Sequence, residues 1–429
     1  MSSEQTKCIL KKIMRNEMVE SFILDIIDYK ESWKDVSFLI QTFNQHVVKQ
    51  RNKSLILHAI KDSYPISRAT LASETGLNKG TVSSLVSELL DEKIILESGP
   101  GISNGGRRPV MLLFHKTAGY AVGIDIGVNY ILALLTDLEG DIVLEKRITI
   151  NETAFDITLD HLTKVIDGLI KAAPPSTYGV VGIGIGVPGT ISKTGQVLLA
   201  PNLGWKNVEL KSVMEEMFRL PVIIQNEANA GAYGEKRFGA GQAYTNQVYI
   251  SGGIGIGVGL ILNNKLYLGQ DGLSGELGHM TIQMDGPTCN CGNQGCWELY
   301  ASERALLKMA EDAGISKESL TLEALIDLAE ANDSKTTQLL SLLSRNLAIG
   351  LKNIITIFNP EQLIIGNRLA SLRKWIADDL HKQLQSSKLT NPEAVPKIHF
   401  SELNIRSAAL GVSAFSTEHF IKLHLQNQA

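Results

Sequence analysis

The stretch that most constrains this 429-residue chain is residues 275–298, GELGHMTIQMDGPTCNCGNQGCWE, which holds three of its four cysteines. Cys289, Cys291 and Cys296 are close neighbours, and His279 lies ten residues upstream of the first. A structural zinc site takes four soft or borderline ligands in a tetrahedron, usually Cys with one or two His, and these four residues supply that set. Gly292, Asn293 and Gly295 suit the tight turns that bring thiolates round a metal. Three buried thiols or a disulfide are the plainer alternatives. With one residue between them, Cys289 and Cys291 would make a strained bridge, and clustered cysteines in a reducing compartment more often bind metal than oxidise. Glu276 and Glu298 bracket the same stretch. A metal knot with a carboxylate at each end can present both to one polar ligand, and carboxylates are good acceptors for sugar hydroxyls. On spacing alone the two are simply surface glutamates.

The remaining composition, 44% hydrophobic and 20% charged, is that of a soluble globular chain, and the length suggests two to three domains. No apolar run approaches the roughly 18 residues that span a bilayer. The N-terminus lacks the basic-then-apolar pattern of a secretory signal, so a reducing cytoplasm is the expected compartment, with no membrane partner. The net charge of −4 is uneven: residues 45–115 carry nine Lys/Arg against six Asp/Glu, +3 locally, leaving −7 elsewhere. A modestly basic module on an acidic body fits nucleic-acid binding.

Residues 1–44 form an N-terminal extension in which Val19, Phe22, Ile23, Ile26 and Ile27, then Val36, Leu39, Ile40 and Phe43, recur at helical spacing. They predict two amphipathic helices of undetermined role. A DNA-binding domain is expected over residues 45–115. Its first helix spans residues 45–62 and stops before Pro65, which cannot continue the hydrogen-bond ladder. Ser67 is expected to cap a short helix, Arg68 to Thr75, which Gly76 ends, with Leu77 plugging into the core. Asn78 is expected to cap a further helix, Lys79 to Glu92. Helix, glycine turn and capped second helix make a helix-turn-helix, a motif that places the start of its second helix against base edges. Arg68, Asn78, Lys79, Gly80, Thr81, Ser83 and Ser84 are therefore the candidate DNA contacts, while Leu85, Val86 and Leu89 face inward. Two apolar strands follow, Ile94 to Leu96 and Val110 to Phe114, joined by a glycine-rich loop that carries Arg107 and Arg108. That is a winged variant whose basic tip can reach phosphates or a minor groove. A plain helical hairpin and a solvated loop are the bland readings.

Residues 119–429 read as a second region. GYAVGIDIGVNYILALLTDLEGDIVLEKRITI suggests three consecutive strands; a helix from Phe155 to Ala173 and a buried strand, GVVGIGIGVPG, follow. PVIIQNEANAGAYGEK is a strand feeding a helix. NQVYISGGIGIGVGLILNNKLYLG repeats the opening theme, and late helices around residues 303–313 and 336–358 lead to QLIIG and a last helix after Ser407. Strands and helices mixed in two similar halves suggest two α/β layers with a cleft between them.

The pattern ExGHxxxxxxxxxCxCGxxGCxE, with PISRATLASETGLNKGTVSSLV, GGRRPVMLLF, NEANAGAYGEK and CNCGNQGCWELYAS, resembles the ROK family, which groups sugar-responsive repressors with sugar kinases. The resemblance runs from about residue 45 to the C-terminus. It implies an α/β architecture in which a winged helix-turn-helix precedes a duplicated actin-like, hexokinase-type domain with a structural zinc knot. It also implies sugar contacts at Asn202, Asn226, Glu227, Glu276, His279 and Glu298, with Pro188, Gly189 and Trp205 in loops bordering the same cleft. Loop packing is as good a reading for Asn202 and Trp205. His279 would ligate zinc through one ring nitrogen and leave the other for sugar, coupling the metal's geometry to the pocket.

Against the family's kinases the sequence departs on the nucleotide side. The catalytic aspartate position is occupied by Glu227, which reaches one methylene further, and a displacement on the order of 1 Å can lower a rate about a hundredfold. The first phosphate loop, Asp125-Ile126-Gly127-Val128-Asn129, lacks the kinases' second glycine and hydroxyl. The second, Ser251 to Gly257, lacks their threonine, and Gly366-Asn367 stands where they carry two glycines. The resemblance therefore points to a non-enzymatic, xylose-responsive transcriptional repressor that binds a palindromic operator as a homodimer. An ATP-dependent sugar kinase fused to a DNA-binding module is the alternative, and an activator is a third reading. The choice of xylose as effector rests on overall resemblance and on no single pocket residue.

Overall fold

The computed structural model describes residues 33–100, 109–315, 320–385 and 395–426. The chain falls into two compact units, Met1–Phe114 with Leu425–Ala429, and His115–His424. The helix expected around Val19 to Ile27 lies outside the described residues.

In the smaller unit a single helix, α1 (Trp33–Ser63), runs through residue 45, where two separate helices were expected. No glycine or proline lies between its ends, so nothing in the backbone interrupts the ladder. Then come β1 (Ile66–Ser67), α2 (Arg68–Thr75), α3 (Lys79–Asp91), β2 (Ile95–Pro100) and β3 (Val110–Phe114). Ser67 Oγ accepts the Thr70 N–H at 3.1 Å and Asn78 Oδ1 accepts the Thr81 N–H at 2.8 Å, which satisfies first-turn donors that a helix leaves unpaired. Gly76, at φ +69°, ends α2 in the left-handed conformation that glycine adopts without strain. The strands pair antiparallel in the order β1-β3-β2. β1 has no counterpart in the sequence reading, because two residues carry no periodic signal. Ile56, Ile60, Leu71, Val82, Leu85, Val86, Leu89 and Leu112 form the core; Leu77 is only half-buried.

The larger unit holds two five-stranded mixed sheets. In the first, β4 (Tyr120–Ile126), β5 (Tyr130–Asp137) and β6 (Ile142–Thr149) form an antiparallel meander; β7 (Val180–Val187) joins parallel to β4 and β11 (Val222–Asn226) parallel to β7. A small sheet of β8 (Thr190–Ile191), β9 (Val197–Ala200) and β10 (Trp205–Val208) lies between β7 and β11 in the chain. The second sheet follows the same scheme. β12 (Gln247–Gly252), β13 (Ile256–Leu262) and β14 (Lys265–Leu266) make the meander, and β15 (Gln362–Gly366) and β16 (Lys397–Phe400) add in parallel on the β12 side.

Helices cover these sheets. α4 (Phe155–Ala172) buries Leu162, Val165, Ile166 and Leu169 against Val122, Ile124 and Ile183 of the first. α5 (Leu210–Phe218) leads into β11, and α6 (Glu227–Phe238) follows it. On the second sheet, α7 (Glu298–Ala301), α8 (Glu303–Asp312), α9 (Leu322–Glu330), α10 (Ser334–Phe358) and α11 (Arg373–Gln385) build the other layer. Leu343, Leu347, Leu351 and Ile354 of α10 pack with Val248, Ile250, Leu363 and Ile365. Each fully buried Leu or Ile contributes roughly 1.5–3 kcal/mol of burial, so these layers hold their loops in place. α12 (Ser407–Gln426) approaches the first sheet at glycines: a Cβ on Gly123 would lie 2.1 Å from the Ala409 carbonyl, and one on Gly184 2.2 Å from that of Val412. These strand glycines admit a helix backbone.

Candidate functional site

A cavity of about 330 Å³ gathers the loops at the strand ends of both sheets in the larger unit. Asn202, Asn226, Glu227, Glu276, His279 and Glu298, the full set expected to contact sugar, all line it, as do Asp125, Gly127, Tyr130, Ser251 and Arg368. Trp205 does not line it. It is 3% exposed and its indole N–H donates to the Thr153 carbonyl at 2.7 Å, so Trp205 packs the loop.

Asn226 ends β11 and caps α6, its Oδ1 accepting the Ala228 and Asn229 N–H groups at 2.9 and 3.0 Å. Its Nδ2 donates to the Gly189 carbonyl at 3.0 Å and to Glu227 Oε2 at 3.1 Å. Both donors and the acceptor are engaged, so Asn226 orients Glu227. Glu227 opens α6, and the surface it exposes faces the cavity. Burial, then the nearby Asp125 and Glu276 carboxylates, push its carboxyl up to about 8. Asp125 is raised to about 6 by burial, against the opposing hydrogen bond from Tyr130. Burial also raises Glu276. A carboxyl raised to about 8, as that of Glu227 is, stays protonated at neutral pH and can donate as well as accept hydrogen bonds.

The loops read as phosphate cradles have other occupants. The Tyr130 hydroxyl donates to Asp125 Oδ2 at 2.7 Å, and its ring lies on Gly127, where a Cβ would come within 2.2 Å of it. The Arg147 guanidinium lies 5.1 Å from the same ring. In the second loop, a Cβ on Gly255 would meet Glu298 Oε2 at 2.7 Å and one on Gly257 would meet Glu227 Oε1 at 2.9 Å. These glycines make room for carboxylates. Asn367 Nδ2 donates to Ser251 Oγ at 3.2 Å, and Arg368 binds Glu303 at 2.6 and 2.9 Å and Glu323 at 3.0 and 3.2 Å. Sequence reasoning missed Tyr130, Glu303 and Arg368, whose partners lie up to 65 residues away in the chain.

The cysteine stretch folds as a compact knot. His279 closes a 3₁₀ turn (Glu276–His279), and bridges Thr281↔Cys296 and Thr288↔Gln294 tie the ends together. Gly292 (φ +95°) and Gly295 (φ +64°) make the turns, and a Cβ on Gly295 would strike the Gln283 carbonyl at 1.7 Å. One ligand atom from each of His279, Cys289, Cys291 and Cys296 falls within 4.8 Å of all the others. Cys291 Sγ to Cys296 Sγ and Cys289 Sγ to His279 Nδ1 are both 3.6 Å, close to the edge of about 3.7 Å implied by a tetrahedron with metal–sulfur bonds of about 2.3 Å. The donor set and its spacing fit a metal ion. Burial raises the thiols of Cys289 and Cys296, the latter to about 11, so thiolates here call for a cation. His279 Nδ1 faces the thiols, and Nε2 lies 3.9 Å from Glu276 Oε2 on the cavity side. Glu298 Oε1 accepts from Cys289 Sγ at 3.1 Å.

In the smaller unit Lys79, Gly80, Ser83 and Ser84 are exposed and Thr81 half-exposed along the start of α3. Asn78 serves as the cap of that helix. The Arg68 guanidinium is paired with Glu97 at 3.0 Å. Arg107 and Arg108 lie outside the described residues.

Two mixed sheets that face a carboxylate-lined cavity across their strand ends define an actin- and hexokinase-like sugar-binding α/β protein. The chain belongs to the ROK family, whose family model matches residues 121–418. It is 46% identical over 384 residues to the xylose repressor of Bacillus subtilis (strain 168), a match covering 89% of this chain and 98% of that one. A crystal structure of a ROK family transcriptional regulator, a homologue of the Escherichia coli MLC protein, superposes with a TM-score of 0.74 at 26% identity and covers 89% of this chain and 100% of its own. A ROK family glucokinase from Streptomyces griseus in complex with glucose and AMPPNP gives a TM-score of 0.62 at 29% identity, covering 70% of this chain and 100% of its own. Coverage of 89% reaches well into the stretch ahead of residue 121, which the xylose repressor shares. The near end-to-end relative is a repressor, in keeping with the expectation that the chain regulates and does not catalyse. No helix among the described residues is long and apolar enough to cross a membrane.

Proposed function

We propose that this chain is a cytoplasmic, sugar-responsive transcriptional repressor of a carbohydrate-utilisation operon, that xylose is its effector, and that it binds operator DNA as a homodimer. The observation that carries the reading is the pairing, in one chain matched almost end to end with a xylose repressor, of a carboxylate-lined sugar cleft with an exposed polar helix start in the unit ahead of it. The smaller unit acts as a winged helix-turn-helix. The start of α3, Lys79 to Ser84, enters the major groove, and Arg107 and Arg108 on the wing reach phosphates. The larger unit is the duplicated actin-like domain. Its carboxylates accept sugar hydroxyls, and His279, Cys289, Cys291 and Cys296 would hold a structural zinc that fixes the knot. His279 Nε2 then faces the sugar.

The test is fluorescence anisotropy of a labelled promoter fragment from a xylose-utilisation operon, titrated with the zinc-loaded protein and then with xylose, glucose or N-acetylglucosamine. Binding followed by release with xylose alone is the expected result. Binding that no sugar reverses overturns the effector, and no binding at low salt overturns the repressor reading.

A further inference from the structure

We propose that Arg304 is a positioning residue of the sugar cleft: by holding the Asn202 amide oxygen from the opposite side of the cleft mouth, it turns the Asn202 amide NH2 toward the cavity. The inference rests on the sugar-cleft reading above. Arg304 Nη2 donates to Asn202 Oδ1 at 3.3 Å. The two residues come from different sheets' layers, Asn202 from the β9–β10 turn and Arg304 from the first turn of α8.

The backbone is held at both ends of this bond. The β9–β10 turn is closed by Leu203 N–H to the Ala200 carbonyl at 3.0 Å and anchored by the buried Trp205. On the other side Ser302 Oγ caps α8, accepting the Ala305 N–H at 3.2 Å, and Glu303, 5% exposed, is gripped by Arg368 at 2.6 and 2.9 Å. Arg304 therefore leaves a rigid helix start, and Asn202 leaves a rigid turn.

The cavity's chemistry shows what this contact is for. Glu227, Glu276 and Glu298 supply acceptors for sugar hydroxyl hydrogens, but a sugar's ring and hydroxyl oxygens also need donors. Asn226 has no donor free, since its NH2 is engaged by Gly189 and Glu227. The Asn202 NH2 is one such donor at the cavity, beside His279 Nε2, the protonated Glu227 carboxyl and side chains such as Thr190 and Asn293. An amide that is free to flip presents either oxygen or NH2; a guanidinium on its oxygen leaves NH2 for the ligand.

In the full-length chain, xylose affinity by titration calorimetry is compared for Arg304→Ala, Arg304→Lys, Asn202→Ala and the Arg304→Ala/Asn202→Ala pair. Arg304→Ala is expected to weaken xylose binding about tenfold, the scale of one charge-assisted hydrogen bond. Arg304→Lys recovers part of the loss, and the pair is no worse than Asn202→Ala alone, because both changes remove one device. Operator affinity without sugar stays within about twofold, since Arg304 lies outside the proposed DNA surface. A normal xylose affinity in Arg304→Ala beside a weakened one in Asn202→Ala overturns the positioning role and leaves the cleft reading intact. Additive losses in the pair also overturn it. If Asn202→Ala and Glu298→Gln both bind xylose normally, the sugar site itself is elsewhere and both readings fall.

Discussion

Glu227, which the resemblance aligns with a catalytic aspartate of the family's kinases, sits in surroundings that favour the neutral acid. It opens α6 beneath Gly257, is held by Asn226, and shares its cavity with Asp125 and Glu276. With a folded value of about 8 against 4.5, its linkage to stability has a definite sign. Below pH 4.5 folded and unfolded chains both hold the proton and nothing is lost. As pH rises toward 8 the unfolded chain releases its proton first, so stability falls, and above 8 the loss is constant. Glu227→Gln removes the titration while keeping the shape. Its melting temperature relative to the parent chain should rise between pH 5 and 8 by on the order of 2–4 °C per kcal/mol relieved and then level off. A difference that stays flat from pH 5 to 9 would show that Glu227 does not carry the shifted proton.

At the scale of elements, the helix caps and the knot were legible because each is written in adjacent residues. Ser67, Gly76 and Asn78 do what their types predict, and the three cysteines with His279 meet within 4.8 Å. Contacts made across the chain were not legible. Nothing around Arg68 in the sequence announces its ion pair with Glu97, on β2. Nothing in the sequence shows that Asn226, which lines the cavity, also bonds to the Gly189 carbonyl. Strand glycines at 123 and 184 resemble turn glycines in sequence, and only the approach of α12 separates the two uses. The knot carries its own prediction. Cys289→Ser or Cys291→Ser should lose bound zinc and weaken xylose binding by about 10-fold or more, the size seen when a metal site loses support. The readouts are zinc per chain by a colorimetric chelator assay and calorimetric titration with xylose. Either variant retaining one zinc per chain with a normal melt would show that the ligand set is wrong.

For the whole molecule, induction requires that xylose bind the DNA-incompetent form more tightly than the operator-bound form. A sugar with equal affinity for both shifts nothing, however tightly it binds. Reciprocity then fixes a second number. If xylose weakens operator binding by some factor, operator must weaken xylose binding by the same factor, within the 5–150-fold that couplings of about 1–3 kcal/mol span. The larger unit's cleft and the smaller unit's helix face can therefore be tested as one machine. Xylose affinity is measured by calorimetry on the free protein and on the protein saturated with an operator duplex. Operator affinity is measured by anisotropy with and without saturating xylose. Matching ratios above unity mean that the sugar binding seen by calorimetry is the binding that is coupled to DNA. Release of operator by xylose that persists undiminished in Glu298→Gln would place its action on a site other than the cleft lined by Glu227, Glu276 and Glu298.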